Sequence, residues 1–243
     1  MRLDGAGALV TGAGTRIGQA IAIGLAQSGC DVAIHYHGSA DGAEDTARAV
    51  RAAGRRAELF QVDLTDARAA RGLAADAARR LERLDVLVNS AAIMVQERVE
   101  DVTPESWNAT FDLNLRAMFF VSQGAIPPLR RSKGKIVNMA DIAGLEPWPG
   151  YVPHCISKAG VIMLTKGLAR ALAPDIAVNA IAPGAVLLPD GWDRQASDHI
   201  RETTPLKRLG APADVVAAVR FLLESTDYVT GTILVIDGGR LIR

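Results

Sequence analysis

The stretch Thr11-Gly12-Ala13-Gly14-Thr15-Arg16-Ile17-Gly18 most constrains the fold. It follows a short apolar run, residues 6–11, and precedes a segment, 17–25, in which apolar residues recur at helical spacing. That is strand, glycine turn, helix. Glycines at such a turn let the backbone approach a pyrophosphate. The helix N-terminus that follows offers unpaired N–H donors and the positive end of a dipole. A glycine pattern gains its meaning from this setting, after a strand and before a helix.

The rest of the chain repeats the alternation. Strands read at 31–36, 58–62, 85–89, 135–139, 176–181 and 233–237. Helices read at 42–53, from a cap at Thr65 or Asp66 to about 81, from Pro104 to about 126 with room for a break, at 151–172 and at 212–223. Thr103 is a good N-cap and Pro104 suits a first helical turn. The 85–89 strand, Asp-Val-Leu-Val-Asn, is nearly all apolar, as a parallel strand buried on both faces should be. Strands alternating with helices imply right-handed crossovers and a parallel sheet covered on both sides. No linker or repeat divides residues 1–243. The expectation is one α/β domain, a Rossmann-type doubly wound parallel sheet.

Charge excludes some partners. Lys plus Arg and Asp plus Glu each number 27, so the formal net charge is zero. No long run of one sign is present, which argues against a nucleic-acid arm or a membrane-surface patch. Arg55-Arg56 and Arg130-Arg131 read as solvated surface pairs. Asp4 and Gly5 interrupt the apolar opening, and no apolar run is long enough to span a bilayer, so a cytoplasmic protein is expected. Cys30 and Cys155 have no partner at metal-ligand spacing and read as reduced, packed thiols; no metal site is expected. The polar segment 187–204, with Trp192 and His199, reads as a long loop and a lid over a substrate.

The identity of the dinucleotide follows from charge. NAD sites of this type place Asp or Glu at the end of the second strand, for the ribose 2′-OH. Here that strand ends Ile34-His35-Tyr36-His37-Gly38-Ser39, without a carboxylate. A 2′-phosphate needs donors and positive charge, which Arg16, His37 and Ser39 would supply. NADP(H) is the expected cofactor.

These residues, with Asp63-Leu64, Asn89-Ser90-Ala91-Ala92, Asn114, Ser157-Lys158-Ala159-Gly160, the segment from Val178 to Gly184 (V-N-A-I-A-P-G) and Asp237-Gly238-Gly239, resemble the short-chain dehydrogenase/reductase family over essentially the whole chain. The H-Y-H-G-S segment and Asp141 most resemble the pteridine reductases, many of which carry arginine where this chain has Gly38. The resemblance implies that Gly12, Gly14, Thr15, Arg16, Ile17 and Gly18 hold the diphosphate and that Asp63 and Leu64 flank the adenine. It places Asn89, Ser90 and Ala91 on the nicotinamide ribose side and Lys158 on the ribose hydroxyls. Pro183, Gly184, Val186 and Leu187 would edge the nicotinamide.

The family reduces a carbonyl with hydride from the nicotinamide and a proton from a tyrosine. A lysine four residues on lowers that tyrosine's pKa, a serine thirteen residues before it orients the substrate, and an asparagine supports a water relay. Lys158 and Asn114 match; the other two positions hold His154 and Asp141. Imidazole titrates near 6.5 in model peptides, against about 10 for a phenol. An Asp–His pair would therefore yield an imidazolium able to donate a proton near neutral pH. Asn114, Asp141, His154 and Lys158 are the catalytic candidates; Met94, Trp148, Tyr151 and Trp192 are candidates for substrate contact.

Three functions fit: an NADPH-dependent reductase of C=O or C=N in a small, cyclic substrate; a cofactor-binding protein without turnover; or a lyase or isomerase with a histidine base. The first accounts for the intact Lys158, Asn114 and glycine loop. By resemblance a homotetramer, or a dimer, is expected, packed through the helices around 104–130 and 151–172 and the last strand.

Overall fold

Seven parallel strands make one sheet, and the chain's path through it decides where a ligand can sit. The computed structural model describes residues 1–188 and 194–242. The strands are β1 (Gly7–Val10), β2 (Asp31–Tyr36), β3 (Ala57–Gln61), β4 (Val86–Asn89), β5 (Lys135–Met139), β6 (Ala177–Pro183) and β7 (Ile233–Ile236), in the order β3-β2-β1-β4-β5-β6-β7. The helices are α1 (Arg16–Gln27), α2 (Ala40–Ala52), α3 (Ala67–Leu81), α4 (Pro104–Phe111), α5 (Met118–Ser132), α6 (Val152–Leu172), α7 (Arg194–Thr203) and α8 (Pro212–Arg220). Ile21 and Leu25 of α1, Val50 of α2 and Val215 of α8 pack into one core. Leu73 of α3, Val121 and Leu129 of α5 and Leu172 of α6 pack into another. β1 and β4, between the two, are buried along their whole length. The expected doubly wound α/β sheet is present. No helix among the described residues is long and apolar enough to cross a membrane.

Two stretches differ from the sequence reading. The helix expected over 104–126 is three pieces: α4, a π-helical stretch Asp112–Ala117, and α5, which continues through Pro127 and Pro128 to Ser132. Thr103 and Ser106 form a capping box at its start. Ser132 Oγ anchors its end by donating to Leu84 O at 2.7 Å. The second difference lies in 187–204, where a ten-residue helix, α7, replaces part of the expected loop. Ile200, its one large apolar side chain, is buried, so no periodicity marked the helix in the sequence. Trp192 lies outside the described residues.

From β1 the chain runs outward through β2 to β3, then returns to β4 on the other side of β1. A crevice therefore opens between the carboxyl ends of β1 and β4. Thr11 holds its two lips together: its Oγ1 accepts the N–H groups of Ser90 (2.9 Å) and Ala91 (3.1 Å). Gly12 has φ +65°, and a Cβ there would lie 2.8 Å from Ala91 Cα. A Cβ on Gly18 would meet Gly12 O at 2.2 Å. Only glycine fits either place.

His35 fixes the same loop from behind. Gly12 N–H donates to His35 Nδ1 (3.1 Å), and Ala13 N–H donates to the His35 carbonyl (2.8 Å). Nδ1 accepts, so the ring proton is on Nε2, which donates to Val62 O at 3.0 Å. Burial pushes the His35 pKa down to about 4. Unfolded, the same side chain titrates near 6.5. Between those values the unfolded chain binds the extra proton, so this contribution to stability is intact above pH 6.5 and falls as pH drops toward 4, by about 3 kcal/mol. Urea denaturation at pH 7 and pH 4.5 should show a smaller acid-side loss in His35→Gln than in the parent, by roughly 2–3 kcal/mol. Equal losses in the two proteins would contradict this role.

Candidate active site

The crevice is the mouth of a cleft of about 820 Å³, within the range of dinucleotide and drug-sized sites. Its glycine wall is Gly12, Gly14, Thr15, Arg16, Ile17 and Gly18; its far wall carries Asp141, His154, Lys158, Pro183, Gly184, Val186 and Leu187. Ser39, His37, Asp63, Leu64, Ser90, Ala91 and Met94 line it between.

The residues at the glycine end fit a diphosphate. Asp66 caps α3 by accepting from Arg68 N–H and Ala69 N–H. Thr15 precedes α1 but gives it no side-chain hydrogen bond, and the first turn of α1 carries no acidic residue. An anion at that helix start meets amides and the positive dipole end without a competing carboxylate. At the end of β2 and just beyond it, Tyr36, His37, Gly38 and Ser39 line the cleft with no carboxylate among them. Asp63, after β3, accepts from Thr65 N–H (2.9 Å) and Oγ1–H (2.7 Å), which holds its carboxyl below the usual range. Arg16 sits in the left-handed region, φ +54°. Its Nη2 donates to Leu187 O (2.9 Å) and Leu188 O (3.0 Å), tying the glycine loop to the segment after β6.

At the other end three expected residues converge. Asp141 caps a short turn after β5, its Oδ1 accepting from Ala143 N–H at 2.8 Å. Its Oδ2 lies 3.7 Å from Nε2 of His154, which occupies the first turn of α6 and is buried. His154 Nδ1 lies 3.2 Å from Ile93 O. Nε2 is buried without a hydrogen-bond partner among the described residues. Lys158 follows one turn along α6, and its Nζ donates to Met139 O at 2.8 Å. Burial pushes its ammonium down to about 8, against the opposing pull of Asp141.

Other expected residues lie elsewhere. Asn89 does not line the cleft: it ends β4 with its side chain turned inward, Nδ2 donating to Ser122 Oγ (3.0 Å) and Asn138 Oδ1 (2.9 Å). The strand's pleat aims it into the interior; Ser90 and Ala91, one and two residues on, reach the cleft. Asn114 is fully buried behind the wall. Its Oδ1 accepts from Ile93 N–H (2.8 Å), and its two Nδ2 hydrogens go to Ile93 O (2.9 Å) and Ser157 Oγ (3.1 Å). Both donors being taken, the amide positions Ile93 and has no hydrogen left for a water relay. Trp148 and Tyr151 pack edge to face on each other at 6.1 Å and are not among the residues lining the cleft. Thr11, His35 and the Ile93 carbonyl were missed from the sequence. A backbone carbonyl carries no residue signature, and His35 is distinguished from His37 only by the alternation of the strand.

The chain matches the family described as Enoyl-(Acyl carrier protein) reductase over residues 12–240. It is 35% identical over 237 residues to a 3-oxoacyl-(acyl-carrier-protein) reductase of Staphylococcus aureus, covering 96% of each chain. It is 36% identical over 245 residues to 3beta-hydroxysteroid dehydrogenase 1 of Eggerthella lenta, covering 98% of this chain and 94% of the other. Among solved structures, a short-chain dehydrogenase/reductase of Serratia marcescens superposes with a TM-score of 0.92 at 32% identity, with 99% of each chain covered. A blue fluorescent protein from a metagenomic library, in complex with NADPH, gives a TM-score of 0.92 at 31% identity and the same coverage. The chain belongs to the short-chain dehydrogenase/reductase family of oxidoreductases.

Proposed function

We propose that this protein is an NADPH-dependent reductase of a C=O or C=N bond in a small, cyclic substrate, similar to the pteridine reductases. One observation carries the reading: Asp141, His154 and Lys158 converge on one wall of a cleft whose other end is the glycine loop. The NADPH complex of a neighbour with the same fold supports the cofactor, and the 3-oxoacyl reductase among its relatives supports carbonyl reduction. The Asp141 position and the H-Y-H-G-S segment support the narrower substrate class.

When bound, NADPH supplies the hydride. The glycine loop and the start of α1 would receive the diphosphate, and His37 and Ser39 the 2′-phosphate; the Arg16 guanidinium, expected there, is instead held by the Leu187 and Leu188 carbonyls. Asp63 and Leu64 would flank the adenine, Ser90 and Ala91 the nicotinamide ribose, and Lys158 the ribose hydroxyls. His154, as imidazolium, would donate its Nε2 proton to the substrate, with Asp141 Oδ2 3.7 Å from that nitrogen. Met94 and Leu187 form part of the substrate wall.

The cation at the catalytic end is lost as pH rises: Lys158 is charged below about 8 and neutral above it. NADPH oxidation, measured from pH 5 to 9 with pterins, quinones, cyclic imines and β-ketoacyl thioesters, should fall with rising pH. His154→Phe and Asp141→Ala should each lower turnover, roughly 10²-fold or more for the loss of a positioned proton donor. Undiminished turnover in His154→Phe would assign the proton to another group.

Phe119 on α5 and Ile156 and Met163 on α6 are exposed, Met163 at 65%. Apolar side chains on these two helices support assembly of copies through them. Light scattering should give a tetramer or dimer for the parent chain and a smaller species for Met163→Glu; an unchanged mass would move the interface elsewhere.

A further inference from the structure

Arg16 stands in the glycine loop with φ +54°, a left-handed conformation that strains an L side chain and suits glycine. Glycine would make this turn without strain but could not reach the far wall of the cleft. The arginine does reach it: Nη2 donates to Leu187 O at 2.9 Å and to Leu188 O at 3.0 Å. Nη2 carries two hydrogens, and both are committed to these main-chain carbonyls. The carbonyls belong to a segment that is fixed step by step from the end of β6. Gly184 N–H donates to Ile236 O (3.1 Å), Gly210 N–H donates to Ala185 O (2.9 Å), and Val186 is buried. Leu187 comes next. It lines the cleft with Met94, Asp141 and His154, and it is 37% exposed. A side chain so open takes its place from its backbone more than from packing.

We propose that Arg16 is a positioning residue for the substrate wall: by holding the Leu187 and Leu188 carbonyls it sets the Leu187 side chain against the apolar edge of a cyclic substrate. This rests on the proposed reductase reading of the cleft and extends it to the choice of substrate. A guanidinium suits the task, since its donors sit in a rigid planar fork and a charged donor bonds a carbonyl more strongly than a neutral one. Arg16 acts through Leu187 and not on the reacting atoms. Discrimination between NADPH and NADH is left to His37 and Ser39, at the end of β2.

Arg16→Gly and Arg16→Asn each remove the guanidinium and leave a residue that tolerates the left-handed backbone. Methyl relaxation of Leu187, assigned with Leu187→Ala, reads the wall without any ligand. Its order parameter should fall in both variants, while the methyls of Leu9 and Leu87 in the sheet keep theirs. An unchanged order parameter at Leu187 would overturn the proposal. With NADPH and a pterin, quinone, cyclic imine or β-ketoacyl thioester that turns over, KM should rise about tenfold and kcat change much less, the mark of lost uniform binding. Leu187→Ala should act alike, and the Arg16→Gly/Leu187→Ala pair should add nothing further, because both work through one wall. An unchanged KM, or additive effects, would overturn the proposal. The ratio of NADPH to NADH affinity should stay within about threefold of the parent's, as for a distant, solvent-screened charge. Collapse of that ratio would assign Arg16 to the 2′-phosphate and overturn it too. Absence of turnover by the parent chain with all four compound classes would refute the reductase reading instead, and the methyl result would stand apart from it.

Discussion

The carbonyl oxygen of Ile93 accepts two hydrogen bonds, from Asn114 Nδ2 at 2.9 Å and His154 Nδ1 at 3.2 Å, and the catalytic end of the cleft depends on that junction. Asn114 reaches it because the helix widens into a π turn over Asp112–Ala117 and carries the amide inside. Ser157 closes the circuit: it receives the other Asn114 hydrogen and donates to the His154 carbonyl at 2.7 Å. The imidazole is thus gripped at one nitrogen and through its own backbone, and its other nitrogen is left facing Asp141. A phenol has one polar atom and could not be held by it and react with it at once. The second ring nitrogen lets a histidine be oriented here through Nδ1 while Nε2 stays without a hydrogen-bond partner among the described residues.

The cofactor end obeys a different constraint, steric rather than polar. The two lips of the crevice are backbone against backbone, Gly12 on Ala91 and Gly18 on Gly12, with the Thr11 hydroxyl joining them. Two side chains hold that backbone in place, the Thr11 hydroxyl between the lips and the His35 ring behind Gly12. At the rim, β2 ends without a carboxylate and Arg16 spans to Leu187 and Leu188. That contact joins the glycine loop to the segment after β6.

Much of this was legible in the sequence because it depends on periodicity. The seven strands, the glycine turn, the Asp66 cap and the four-residue spacing of His154 and Lys158 follow from alternation and from side-chain chemistry at fixed offsets. What escaped was set by tertiary context. α7 holds together around one buried isoleucine and leaves no apolar stripe to read. α5 continues through Pro127 and Pro128, and Ser132 ties its end to Leu84. Asn89 reads as a cleft residue until the strand's pleat turns it into the sheet, and Asn114 reads as support for a water relay, whereas its two amide hydrogens go to Ile93 and Ser157. Nothing in the sequence set His35 apart from His37, yet it is buried and braces the loop.

Calorimetric titration of the unmodified protein with NADPH and with NADH is the most direct test of the account, since every catalytic role assigned here presumes a nicotinamide nucleotide in the cleft. The account predicts one NADPH per chain, bound at least about tenfold tighter than NADH, as expected when a 2′-phosphate gains charge-assisted hydrogen bonds. NADH binding as tightly as NADPH, or neither binding, would contradict it.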